Sequence, residues 1–512
     1  MESRKTDRKL ILRYDEHSSA NLDTNKNTNI WGLRKDTKMK FGIKSLQEVS
    51  SDIAITIERK GGLYDHSGVV DPFYKHLYEN KLALFDHLTR LATQRHYDDS
   101  NRTLKFGIIN CADIGGFACV GDEQIDFIGI HFGTISLVSA IFTRMLCNPN
   151  IFPHIGNPSL ETNTGQSFYI PVKEDLTNFP ASRPNCPIRG AFSKLLVLTG
   201  LSFIFGHEIA HISNGHFGII NKTKHKDLQK RRTELSPLEN QAIELDADRG
   251  AAEWTLLYTE IVRGARPLFQ VECDDSLGIA WREFYVIEIE TVKYCFFACY
   301  ITLRMTSPDH WSLDTQQARY PPLPPFRMGA LIQIYIFALM EFLEMSFEDA
   351  QHRVWDWCIE TEQAFTDLMG ESGKGKLQLN GIVSFFRNVD DYNERVDQAY
   401  KSLADELSEH AMSETSKTAL KRHKTCGYVV MKGWQQGVEF IGILEANLSK
   451  TNLKGLDLQC FAQGYCGISI TPFLLWFVPE FDGDMLEVAL TSDGINMVVS
   501  FEGLESYERA CT

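Results

Sequence analysis

The amino-acid sequence predicts an α+β protein: a mostly helical core with a small mixed sheet, followed by a helical segment and a small α+β C-terminal domain. Three observations carry this. Apolar residues recur at three- and four-residue spacing through most of the stretch between residues 82 and 344. Strand-like runs there are few and short, at Lys105–Ile109 and Gln124–Phe132. From Cys426 onward the pattern shifts to short β-like runs, such as Val438–Leu444 and Gly467–Phe477.

In chain order, residues 1–50 are polar, and His17–Asn29 reads as loop or disorder. Leu82, Leu84, Phe85, Leu88 and Leu91 mark a helix over Leu82–Gln94. The two strand-like runs follow, with a helix over Thr134–Leu146 after the second. A Pro- and Asn-rich connection, Asn148 to Pro187, leads into a long apolar helix, Ala191–Ser213. Asn214-Gly215 supplies its left-handed stop. After the basic loop Lys222–Arg232, helices are expected at Leu238–Arg263, Leu277–Met305 and, past the rigid break Tyr320-Pro-Pro-Leu-Pro-Pro325, Arg327–Glu344. Residues 346–425 are helical and charge-rich. The domains drawn from this pattern are 1–50, a core domain over 51–345, the helical segment 346–425 and the C-terminal domain 426–512.

A chain of 512 residues exceeds one compact core, so two to four structural units are expected. Its net charge of −15 argues against a general nucleic-acid binder. The N-terminus has no apolar signal core, which points to a cytoplasmic location. The apolar segments Ala191–Phe205, Thr291–Met305 and Gly329–Phe342 each run only about 14–16 residues, short of the roughly 20 that span a bilayer. Buried helices explain them. The twelve cysteines include no C-x-x-C pair, and all are expected to be reduced.

The chemistry concentrates in Phe205-Gly-His-Glu-Ile-Ala-His211. His207 and His211 are four apart, so on a helix both imidazoles leave one face about a turn apart, as two neighbouring ligands of one tetrahedral Zn²⁺ must. Glu208 is one step round the helix, suited not to ligation but to taking a proton from water activated by the metal. With 15 histidines in the chain, only about 0.03 chance occurrences of H-E-x-x-H are expected. Ile204, Phe205, Ile209, Ala210 and Ile212 make the helix apolar around the polar triplet, where such groups need a shared partner.

Three residues compete as third ligand. His216 follows the helix stop, but the long pattern H-E-x-x-H-x-x-G-x-x-H fails because Asn214 and Phe217 stand where it needs Gly and His. Glu244 and Asp248 lie four apart on the next helix and share a face. Glu244 is the expected ligand, with Asp248 accepting a hydrogen bond from the outer nitrogen of a ligand histidine. Asp246 projects about 200° from Glu244 and is expected to face solvent.

H-E-x-x-H followed on a later helix by Glu244-Leu-Asp-Ala-Asp248 resembles the gluzincin peptidases of the Ste24/HtpX type. That resemblance implies a zincin-like peptidase core over 51–345 and a downstream His-Pro with an oxyanion-stabilising Arg. Tyr320-Pro-Pro-Leu-Pro-Pro-Phe-Arg327 looks like that element, with Tyr in place of His and Arg327 retained. A Tyr320 hydroxyl could also donate to an oxyanion. The stretch Gly206–His216 and the upstream Ile128-Gly-Ile-His-Phe-Gly-Thr134 are similar to the phage-exclusion Lit-type peptidases. This likeness covers roughly residues 105–340. It implies a zinc endopeptidase whose substrate is a host cytoplasmic protein such as a translation elongation factor.

The strand Asp126–Phe132 reads equally as an edge that binds a substrate backbone by β-addition or as a core strand. The loop Lys222–Arg232 reads as a solvated loop that could also dock an acidic partner or a nucleic acid. Trp355, Trp357 and Cys358 pack a helix core. The C-terminal half has room for an activating partner. The alternative to an endopeptidase is a non-catalytic regulatory or interaction protein that keeps the metal for stability.

Overall fold

The computed structural model describes residues 42–65, 72–97, 102–121, 124–162, 183–221, 235–264, 287–306 and 324–369. It also describes short stretches within 279–285 and 379–411, and six strands within 426–510 by their backbone. The chain divides into two compact units. One comprises Met1–Ala210, Ala247–Thr306 and Glu360–Gly375; the other comprises His211–Asp246, Ser307–Ile359 and Lys376–Thr512.

The first unit opens with α1 (Ser51–Arg59) and α2 (Pro72–His96). They precede β1 (Thr103–Ile109), β2 (Gly116–Val120) and β3 (Ile125–His131). The strand order is β1-β3-β2, with β3 parallel to β1 and antiparallel to β2. The sheet is therefore mixed, as expected, but β3 is its middle strand. Of the two readings of Asp126–Phe132 the core strand holds and the β-addition edge is corrected: both sides of β3 are already paired, and β1 and β2 are the outer strands. β2 escaped the sequence reading because Gly116-Phe-Ala-Cys-Val120 is short and lacks alternation. β3 is buried along nearly its whole length, as a strand covered on both faces must be. On one face Ile53 and Ile57 of α1 meet Ile109, Phe117 and Phe127.

From β3 the chain passes directly into α3 (Phe132–Cys147), then to α4 (Pro187–Ser213). Pro187 starts α4 where its missing N–H costs nothing. Arg189 in the first turn is fully buried and donates to the carbonyls of Leu146, Asn148, Ile151, Phe152 and Ile155 at 2.8–3.0 Å. A buried guanidinium needs that many acceptors, and in finding them it pins the start of α4 to the preceding loop. Further along, Phe85 of α2 lies between Phe106 of β1 (6.0 Å between ring centres) and Phe205 of α4 (6.3 Å). α4 is 27 residues, longer than the apolar stretch read from sequence. By length and composition it could cross a membrane, yet 94% of its apolar window is buried in the protein. Core packing accounts for its composition.

The remaining helices are α5 (His216–Asn221), α6 (Pro237–Gly264), α7 (Glu288–Met305), α8 (Pro324–Phe342) and α9 (Phe347–Met369). α6 begins with a capping box: Ser236 Oγ accepts the Glu239 N–H, and the Glu239 carboxylate accepts the Ser236 N–H. Within the first unit α7 and the end of α9 share a buried group, Tyr300 and Arg304 both donating to Glu362. Trp357 and Cys358 of α9 are buried and Trp355 is half-buried, in line with their expected packing role.

In the second unit, Ile219 of α5, Ala242 and Ile243 of α6 and Phe326 of α8 form one core with Val396, Tyr400, Leu403, Leu407 and Ala411. The described strands β4 (Cys426–Gln435), β5 (Val438–Asn447), β6 (Phe473–Phe477), β7 (Leu486–Leu490), β8 (Asn496–Phe501) and β9 (Tyr507–Ala510) make an antiparallel sheet of order β5-β4-β6-β7-β8-β9. The helical part expected of this region, the polar residues 1–41, the basic loop Lys222–Arg232 and Tyr320 lie outside the described residues. The seven cysteines outside the C-terminal strands whose side chains are described are free thiols.

A candidate metal centre

Two helices bring the predicted ligands together. α4 carries His207 and His211 one turn apart, and α6 carries Glu244. One ligand atom from each of the three lies within 4.8 Å of the others. His211 Nε2 is 3.5 Å from Glu244 Oε1. His211 and Glu244 are buried, their side chains 5% and 8% exposed, whereas His207 is 16% exposed. Approach to the group is therefore from the His207 side.

Close contact between α4 and α6 depends on Gly206. A Cβ placed there would lie 2.8 Å from Trp254 Cδ1 and 3.0 Å from Trp254 Cβ, so only glycine lets α6 come this near the residue before His207. In this register His207 Nδ1 lies 3.0 Å from Asp248 Oδ1. A carboxylate only accepts, so His207 donates from Nδ1 and keeps the Nε2 lone pair for a metal.

His211 is oriented by a longer chain. At the end of α4 Gly215 adopts φ +79°, and this left-handed residue turns the chain straight into α5. The reversal brings fully buried His216 back against α4, its Nδ1 2.9 Å from His211 Nδ1. His216 Nε2 in turn lies 3.0 Å from Asp246 Oδ2. Since Asp246 accepts, a neutral His216 donates from Nε2 and accepts at Nδ1. His211 must then donate from Nδ1, which leaves its Nε2 lone pair facing Glu244. Asn214 Nδ2 also donates to Asp246 Oδ2 at 2.7 Å, and the Tyr400 hydroxyl donates to Oδ1 at 2.9 Å.

Asp246 is thus 9% exposed and hydrogen-bonded to three side chains, which overturns the expectation that it faces solvent. It does point away from Glu244. What lies on that side is α5 and the segment carrying Tyr400. His216, by sequence a candidate third ligand, instead hydrogen-bonds His211 from behind. The spacing of Gly215 and His216 after the motif was the one sequence signal for it.

Glu208 is buried, and β2 passes directly over it. A Cβ on Gly116 would sit 3.2 Å from both Cγ and Oε1 of Glu208. Arg327 is in the first turn of α8, half-buried, and its neighbour Phe326 shares a core with Ala242 and Ile243 of α6, the turn before Glu244.

The donor set could hold a metal ion: two imidazole nitrogens with fixed tautomers and one carboxylate. Glu208, Glu244, Asp246 and Asp248 are also all buried, and a divalent cation would offset that concentration of negative charge. Comparison with protein-family models, with curated proteins and with solved structures returns no match. The chemistry therefore rests on the arrangement of these side chains.

Proposed function

We propose that the chain is a zinc-dependent endopeptidase. The observation that carries this reading is the convergence of His207, His211 and Glu244 from two helices, with Glu208 next to the first ligand. When bound there, zinc would supply Lewis acidity, polarising a carbonyl and lowering the pKa of water toward about 7. Asp248 and the His216–Asp246 pair hold the two imidazoles in the ligating tautomer. Glu208 is turned about 100° from His207 round the helix, so it is not a further ligand. Its carboxylate accepts a proton from the attacking water and returns it to the departing amine.

The edge of the sheet favours a peptide as substrate. Among the described strands β2 pairs only with β3, so an extended peptide can add to its outer side. Gly116 then brings that peptide alongside Glu208. Arg327 is the residue proposed to stabilise the oxyanion, on the strength of its resemblance to the gluzincin element. The likeness to the Lit-type peptidases supports a cytoplasmic protein substrate, with an elongation factor the first to test.

Glu208→Gln is the direct experiment. The variant should bind zinc as the wild type does and lose cleavage of a peptide library by about 10²-fold or more. Removing zinc with a chelator should abolish cleavage, and adding it back should restore it. Undiminished cleavage by Glu208→Gln would overturn the reading.

A further inference from the structure

We propose that Tyr400 is a positioning residue of the metal centre, and that docking of the segment around it is coupled to metal occupancy. This rests on the reading of His207, His211 and Glu244 as metal ligands. Val396, Tyr400, Leu403, Leu407 and Ala411 follow helical spacing and form one apolar stripe. All five are buried in the core that contains Ile219 of α5 and Ala242 and Ile243 of α6. Phenylalanine would pack such a stripe equally well. The one polar tip on it is the Tyr400 hydroxyl, and it reaches Asp246 Oδ1 at 2.9 Å. A buried tyrosine hydroxyl is retained where it has a partner.

Asp246 is the group that settles the His216 tautomer, and His216 settles that of His211. The hydroxyl therefore stands three hydrogen bonds from a ligand ring. Losing it removes one donor from Asp246, whose fixed orientation keeps the His211 Nε2 lone pair directed at the metal position. The coupling runs both ways: a docked segment tightens metal binding, and bound metal favours the docked segment by the same factor. Residues more than 150 positions beyond the ligands thereby control the site, Tyr400 being 154 from Asp246.

The test uses the full-length chain, with Tyr400→Phe and Asp246→Asn. Zinc affinity is measured by competition with a chromophoric chelator, and coordination by the visible spectrum of the Co²⁺-loaded protein. Amide hydrogen exchange of residues 395–411 is followed with and without Zn²⁺. Wild type should bind one Zn²⁺ and show slower exchange in that segment when loaded. Tyr400→Phe should keep its far-UV circular dichroism, bind zinc roughly tenfold more weakly, and change the Co²⁺ spectrum. Asp246→Asn should do the same more strongly. Unchanged affinity in Tyr400→Phe with zinc-independent exchange overturns the proposal. Should Tyr400→Phe fail to fold, the wild-type exchange decides: slowing by zinc supports the coupling, and no slowing overturns it. If wild type binds no zinc, the metal reading itself falls and this proposal with it.

Discussion

Asp248 Oδ1 lies 3.0 Å from His207 Nδ1, one helical turn beyond Glu244 on α6. A single helix face thus supplies both the carboxylate of the metal-capable group and the carboxylate that aligns His207 from the other helix. The Asp248 side chain is 3% exposed, so the carboxylate end of the pair is shielded from water.

Removing that alignment should weaken the site without dismantling it. Asp248→Asn keeps an acceptor but loses the charge, and should lower zinc affinity about tenfold. Asp248→Ala should lower it nearer 100-fold, since no acceptor remains to fix the tautomer. Chelator competition on both variants checks this, and equal affinities in both and in wild type would exclude the aligning role.

Gly206→Ala sets two effects against each other. Alanine in a helix interior favours folding by about 1 kcal/mol over glycine. The new methyl would meet Trp254 at 2.8–3.0 Å, and the atoms it meets are close to the Trp254 backbone and cannot swing away. Overpacking of this kind costs about 1–3 kcal/mol, so the net effect should be destabilising. Urea denaturation should show a lower midpoint, with weaker zinc binding as α6 is pushed from His207.

Gly116→Ala should separate catalysis from metal binding. Its methyl would lie 3.0 Å from the Gly129 carbonyl oxygen and 3.2 Å from Glu208, so Glu208 must move by a few tenths of an ångström. No ligand is touched, and zinc affinity should be unchanged. Since a displacement of about 1 Å at a reacting group costs on the order of 10²-fold, a roughly tenfold fall in kcat is expected. Steady-state kinetics beside a zinc titration reads both.

Lys81 gives a pH prediction independent of the site. It is buried on α2, and burial, with Lys194 adding repulsion, lowers its pKa from 10.5 to about 7. The folded state therefore binds its proton less tightly than the unfolded chain. The penalty is fully present below about pH 7, shrinks as pH rises, and is gone above 10.5. Lys81→Met should raise the Tm at pH 6–7, by an amount corresponding to a few kcal/mol, and the gain should fade as pH rises toward 10. A gain that stays constant with pH would point to better packing and not to charge.

Much of the site was legible because its first part is local. An i, i+4 pair of histidines meets one ion on any helix, and apolar neighbours ensured that Phe205–His211 would be a buried helix. Glu244 and Asp248 share a face for the same reason, and Gly215 stops α4 where expected. Two features were not legible, for one reason. Whether Asp246 meets solvent and whether Asp126–Phe132 sits at a sheet edge both depend on which element lies alongside.

Sequence by itself determined the shared face of His207 and His211, the helices that carry the metal-capable group and the pairing of Glu244 with Asp248, since these follow from the 3.6-residue period and side-chain chemistry. Only the tertiary structure decided what stands behind His211. Helical geometry tells where Asp246 points, but whether water, His216 or Tyr400 waits there depends on chain folded back from elsewhere. The same holds for β2 over Glu208. Local rules set directions, and long-range packing sets partners.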